Sequence, residues 1–295
     1  MTDSLTIPGR GPAPLALGAY LRSLRLAKGL TPTAAADAIR SSPSKINRME
    51  TGQVAQRWQD VSTLTRLYGV TDMDTITGAM RWTGWQSTDP ERFPGPIRDD
   101  AAGWMDRLRA CEHQASEICV YASVTMPRIV QTTGCPVDHL TLLTSSAQPP
   151  RVPAHTVLPD NQTQDVTVLL DGAMLLRTLG NPLAMAAQMA YLQRLATSPH
   201  GPRVLVVPLR TGTVPPPGTL HRFHLHGQEV FAEETWSAVY ASGTDGQAAR
   251  DRLAAGLQAA EDPEASAALL DAARRRFELL AEDPASDPLL EEVAV

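Results

Sequence analysis

One stretch near the start of the chain, Ser42–Gly52 (SPSKINRMETG), limits what the chain can fold into more than any other. Ser42 is a good helix cap, Pro43 suits the first helical position, and Ile46 and Met49 fall three apart on one face. The short helix therefore has an inside. Its other face offers Ser44, Lys45, Asn47 and Arg48, small, cationic or amide side chains that reach phosphate oxygens and base edges. This is the pattern of a recognition helix.

The surrounding chain supplies the rest of a small helical domain. Residues 1–14 hold Gly9, Gly11 and three prolines and read as a flexible arm, with a helix beginning at Leu15. Leu17, Leu21 and Leu24 share one face of that helix, and Arg22, Arg25 and Lys28 share the other. Thr31 caps a second helix with Pro32 at its first position, and Arg40 and Ser41 connect it tightly to the Ser42 segment. Two short helices so joined, the second bearing the exposed polar set, make a helix-turn-helix. Val61, Leu64, Leu67 and Tyr68 mark a fourth helix, and Met73, Ile76 and Met80 a fifth.

Charge is divided along the chain. Residues 1–70 hold nine Lys/Arg against four Asp/Glu, whereas the remaining 225 hold 17 against 28 within an overall net charge of −6. A basic head on an acidic body is the asymmetry of a nucleic-acid-binding domain attached to something else. The chain has no signal-peptide pattern at its start and no apolar run long enough to span a bilayer, so a cytoplasmic protein without membrane contact is expected. Cys111, Cys119 and Cys135 lack CxxC spacing, which argues against a disulfide framework or a zinc ribbon.

Gly84, Pro90, Pro94, Gly95 and Pro96 give residues 84–98 a linker's composition. The domains expected are an arm (1–14), a helix-turn-helix domain (15–83), a linker (84–98), a second domain (99–281) and an acidic tail from Glu282. In the second domain a helix is read over 99–117, strands at Ile118–Val124, Val166–Leu170 and Val204–Val207, and a helix capped by Asn181 and Pro182. Residues 145–164 read as a loop. An antiparallel meander is read between Leu220 and Tyr240, and two helices close the chain at 245–259 and 263–280. The fold class is an all-α helix-turn-helix N-terminal domain followed by an α+β C-terminal domain.

The run from Leu17 to Gly52, followed by DVSTLTRLYGV (Asp60–Val70), resembles the Xre, or lambda-repressor-like, helix-turn-helix regulators, particularly their actinobacterial branch. Pro32 departs from the glutamine common in that family, which contacts the DNA backbone. The second half resembles the C-terminal domain of unknown function found in actinobacterial regulators of the WhiJ-like, antitoxin-like group. The residues that carry this are PRIVQT (Pro127–Thr132), LDGAMLLRTLG (Leu170–Gly180), Met185–Leu195 and Val204–Pro208. Arg128 stands where that family favours glycine and Gly172 where it favours glutamate.

The function these readings imply is a sequence-specific transcriptional regulator. Ser44, Lys45, Asn47 and Arg48 face base edges, and Arg22, Arg25, Lys28 and Arg57 position phosphates of double-stranded DNA. The resemblance implies a homodimer, a small partner protein encoded nearby, and a role in development or secondary metabolism. It also implies a second domain that senses a ligand or partner, for which Arg128, Gln131, Asp171 and Arg177 are the candidate contacts. GTLHRFHLHGQE (Gly218–Glu229) is similar to the first metal motif of cupins through Gly218, His224, His226 and Glu229, with His224 and His226 on one face of a strand and His221 adding little, but the gap before Glu229 is short and no second motif is present, so no metal site and no cofactor is expected. Phosphate-binding glycine loops, GxSxG and zinc-protease helices are absent. The alternatives are an enzyme built on the regulator scaffold with a vestigial DNA-binding head, which Pro32, Arg128 and Gly172 keep open, and a protein-interaction adaptor.

Overall fold

The computed structural model describes residues 11–85, 96–132, 164–179, 181–199 and 201–283. The first ten residues of the arm, most of the linker, Cys135, nearly all of the 145–164 loop and the tail from Pro284 lie outside the described residues.

Among the described residues five helices come first: α1 (Pro12–Ala27), α2 (Pro32–Ala38), α3 (Pro43–Glu50), α4 (Trp58–Leu67) and α5 (Met73–Arg81). α1 starts three residues before the expected Leu15. Pro12 and Pro14 fall in its first turn, where a missing N–H removes no helical hydrogen bond. Side-chain caps start α2, α3 and α5 as their sequences require: Thr31 Oγ1 accepts from the Ala34 amide and Ser42 Oγ from the Lys45 amide, each at 3.2 Å, and Asp72 Oδ2 accepts from the Thr75 amide at 2.8 Å. Val61, Leu64, Tyr68 and Ile76 are buried as read, whereas Leu67 and Met73 lie outside the inward stripe and are exposed.

The described residues beyond these helices contain seven strands, with helices between them: β1 (Ile97–Asp99), β2 (Glu117–Ala122), β3 (Asp165–Asp171), β4 (Arg203–Val207), β5 (Thr219–Leu225), β6 (Gln228–Glu234) and β7 (Ala238–Ser242). Their sheet order is β1-β7-β6-β5-β2-β3-β4. β3 and β4 run parallel, with Val168 opposite Val204 and Leu170 opposite Val206, and β1 and β6 flank β7 antiparallel. The sheet is therefore mixed. The accompanying helices are α6 (Trp104–Gln114), α7 (Ala173–Leu176), α8 (Pro182–Ala196), α9 (Gln247–Ala259) and α10 (Pro263–Glu282), which makes the second domain α+β as expected. Ile97 and Arg98, which composition places in the linker, pair with Tyr240 and Val239. The helix read over 99–117 shortens to Trp104–Gln114 because Asp99 joins β1 and Glu117 joins β2.

The chain divides into two compact units. One draws on Met1–Ile118 and His221–Arg250, so that the helix-turn-helix is built together with α6 and strands from much later in the sequence. In this unit α1 packs along both α3 and α6. Gly18 makes the approach to α3 possible: a Cβ there would lie 2.6 Å from the carbonyl oxygens of Met49 and Glu50. On the other side Trp82 stands edge-on to Tyr240, ring centroids 4.9 Å apart, with both side chains fully buried. Arg107 of α6, also fully buried, donates to Asp99 at 2.7 and 2.8 Å and to the carbonyls of Ala102 at 3.0 Å and Ala101 at 3.1 Å. Burial opposes the Arg107 charge, but the bonds to Asp99 outweigh it and the guanidinium stays ionised.

The other unit draws on Cys119–Gln148, Ala154–Leu220 and Asp251–Val295. Here α8 and α10 pack on each other and cover β4. Two buried polar side chains tie it together. Ser266 Oγ accepts from the Val206 amide at 3.0 Å, and Gln188 donates to the Val130 carbonyl at 2.8 Å while its Oε1 accepts from the Thr132 amide at 2.8 Å. Gln188 thus holds the PRIVQT segment against α8.

Candidate nucleic-acid interface

On α3 the apolar and polar residues separate as their spacing requires. Ile46, Met49 and Glu50 are buried, and Ser44, Asn47 and Arg48 are exposed. The exposed three lie within about one third of a turn of one another, at 3.6 residues per turn, and form a single stripe. Lys45 falls at the flank of that stripe, half-buried, with Nζ 2.8 Å from Oδ2 of Asp60 in the first turn of α4.

The inner side of α3 is held by hydrogen bonds as well as by apolar packing. Arg25 of α1 donates to both carboxylate oxygens of Glu50, at 2.6 and 2.7 Å, and to the Leu30 carbonyl at 2.7 Å. Gln56 Nε2 donates to the carbonyls of Met49 at 2.7 Å and Pro14 at 3.0 Å. A charge-assisted bidentate pair inside the fold fixes where α3 stands relative to α1. The hydrogen bonds to Glu50 raise the Arg25 pKa, so this cation is permanent.

Arg25 is therefore a correction to the sequence reading. The alternation along α1 places it with Arg22 and Lys28 on a phosphate-facing side, but it is only 4% exposed and its donors are engaged by Glu50 and Leu30. The signal that could have found this is Glu50 itself, a carboxylate on the same helical face as Ile46, which requires a buried cation. Lys28 and Arg57 are exposed as read, Arg57 at the start of α4. Arg22 is half-exposed, 3.8 Å from Glu50. The reading passed over Trp58, whose large side chain is exposed at the first position of α4 next to Arg57.

The candidates in the second domain are placed differently from one another. Arg128 is buried in a short turn of 3-10 helix, with Gln131 half-buried just after it. Asp171 is buried at the end of β3, where Oδ1 accepts from the Ala173 amide at 2.9 Å. Burial first, and then Asp171, pushes the Tyr121 hydroxyl up to about 12. Arg177 is exposed at the end of α7.

His224 and His226 do not share a strand face. His224 is on β5, with Nδ1 3.6 Å from Glu117, whereas His226 has left the strand for a two-residue turn with Gly227, at φ +49° and +80°. Both positive angles are what a tight hairpin between right-twisted strands needs. Among the described residues no group of three or more His, Cys, Asp and Glu is placed to hold a metal ion. Partial burial, and then the Arg22 charge, keep the His226 imidazole below its ordinary pKa. The histidine with carboxylate neighbours is instead His221, which the sequence reading set aside. It is buried on β5, with Nε2 3.0 Å from Glu234 and Nδ1 3.9 Å from Glu112. Cys111 and Cys119 are buried, and burial raises the Cys111 thiol far above its ordinary range.

No helix among the described residues is long and apolar enough to cross a membrane. Comparison with known families matches residues 16–75 to a helix-turn-helix domain and residues 105–272 to a domain of unknown function, DUF5753. No curated protein matches the chain, and no solved structure does. The first match runs from within α1 to the start of α5 and includes the exposed stripe of α3, which supports DNA binding, and the second covers more than half of the 295 residues. The chain belongs to the DUF5753 family and carries a helix-turn-helix domain ahead of that region.

Proposed function

We propose that the protein is a sequence-specific transcriptional regulator that inserts α3 into the major groove of double-stranded DNA. Ser44, Asn47 and Arg48 read base edges with Lys45 beside them, and Arg22, Lys28 and Arg57 settle on phosphates. The C-terminal domain senses a small molecule or a small partner protein, with Arg128, Gln131, Asp171 and Arg177 as its candidate contacts. The protein acts in the cytoplasm as a homodimer, since paired half-sites double the contacts. Its resemblance to the actinobacterial Xre regulators of the WhiJ-like, antitoxin-like group supports a role in development or secondary metabolism.

The observation that carries the DNA-binding reading is the exposed Ser44–Asn47–Arg48 stripe on a helix whose opposite face is locked by Ile46, Met49 and the Arg25–Glu50 pair. The test is binding to DNA from the gene's own upstream region against a random-sequence competitor, with Arg48→Ala alongside. A bidentate arginine–guanine contact contributes about 1–3 kcal/mol of discrimination, so the variant should lose roughly 10- to 100-fold on the upstream DNA and much less on the competitor. Equal binding of both DNAs by both proteins would sink the reading.

A further inference from the structure

Lys45 is placed unlike its neighbours on α3. With Ser44 at zero on the helical wheel, Arg48 lies at about 40° and Asn47 at about 300°, while Lys45 lies at about 100°, next to the buried Met49 at about 140°. The ammonium accordingly points along the side of the helix, where Asp60 of α4 meets it at 2.8 Å, with the lysine side chain 30% and the aspartate 15% exposed. Asp60 sits in the first turn of α4, whose N-cap residue, Arg57, supplies no side-chain cap. The positive end of the helix therefore attracts the Asp60 side chain whether or not Lys45 is bound to it. A pair this close to solvent is weak enough for a phosphate or a guanine edge to displace.

We propose that Asp60 is a specificity-determining residue: it holds Lys45 off the duplex, and Lys45 is released to DNA only where a matching site seats α3 deeply enough to displace the carboxylate. This rests on the DNA-binding reading above and assigns a role to a residue outside the recognition helix. On non-matching DNA the pair stays closed and is neutral as a unit, so Lys45 neutralises no phosphate. On a matching site the ammonium moves to the DNA and one more counterion is released.

The experiment compares wild type, Asp60→Asn and Lys45→Gln/Asp60→Asn on two duplexes, one random and one selected by the wild-type protein from a randomised pool, across a salt titration. Asp60→Asn should bind random DNA several-fold more tightly, with a log–log salt slope steeper by about 0.9, the increment for one added phosphate contact, and its preference for the selected duplex should shrink. The double variant should match wild type on random DNA and lose at least about fivefold on the selected duplex, a modest contact by the same scale. An unchanged random-DNA slope in Asp60→Asn, or the same gain in the double variant, would overturn the proposal, because Asp60 would then act by its own charge and not through Lys45. Thermal unfolding is followed for each protein. If Asp60→Asn does not fold, the double variant decides, and an equal change on both duplexes overturns the proposal. An Arg48→Ala arm reports separately on the DNA-binding reading, which fails if the wild type selects no duplex or if that variant binds both duplexes as the wild type does.

Discussion

Two helices of similar length and polarity, α3 and α6, put their charged residues to opposite uses. α3 leaves Ser44, Asn47 and Arg48 to solvent and buries one charge, Glu50, against Arg25. α6 buries Asp106, Arg107, Arg109 and Glu112 together. The difference lies in how many sides of each helix are covered. α1 lies against α6 on one side and β7 meets it on another, so these four residues are largely shut off from water and must be satisfied within the protein. α3 is backed by α1 and α2 but open opposite them. A polar helix face marks a binding surface only where the fold leaves that face bare.

The comparison is broken most severely by removing a buried charge. Arg107→Ala leaves Asp99 buried without its cation and should cost about 3–5 kcal/mol in urea unfolding, whereas replacing both residues, Arg107→Met with Asp99→Leu, should recover most of that loss. Failure to recover would assign the loss to packing and to the Ala101 and Ala102 carbonyls. Ser42→Ala, which removes the α3 cap, should cost about 1 kcal/mol, read from the denaturant midpoint at constant slope. Arg48→Ala on α3 tests the opposite expectation from Arg107→Ala. Its large effect on DNA should be accompanied by a stability change within about 0.5 kcal/mol, as at an open surface position.

The smallest effect expected comes from the hairpin turn that reaches Arg22 of α1. Because burial and Arg22 disfavour the charged His226 imidazole, the native state favours its neutral form. The stabilisation is complete above the ordinary histidine pKa and is lost as pH falls through the lower native value. Wild type should therefore lose more stability between neutral and mildly acidic pH than His226→Asn, whose side chain tolerates the positive φ. Parallel pH profiles would show that His226 is not responsible.

The α3 segment is legible from sequence because each of its determinants is local. A cap, a proline at the first position and two apolar residues three apart act within one helix, and the structure reproduces all of them. The caps at Thr31 and Asn181 and the β5–β6–β7 meander are legible for the same reason. Arg25 was misplaced because its partner lies 25 residues away, and nothing in the alternation along α1 distinguishes it from Arg22 or Lys28. His221 was passed over because the carboxylates beside it come from α6 and β6, and only the packing of those elements against β5 brings them together.

Periodicity, capping and composition were enough to define the helix-turn-helix, the outward residues of α3, the basic head on an acidic body and the α+β class of the C-terminal domain. Those determinants act over a few residues or over the whole chain at once. Packing settled the rest: that α6 turns four charges inward, that the helix-turn-helix shares a compact unit with strands more than 200 residues along the chain, and that Lys45 meets Asp60. Each of these depends on which surfaces a second element covers. A side chain's environment is set by neighbours distant in sequence, and spacing along one helix carries no information about them.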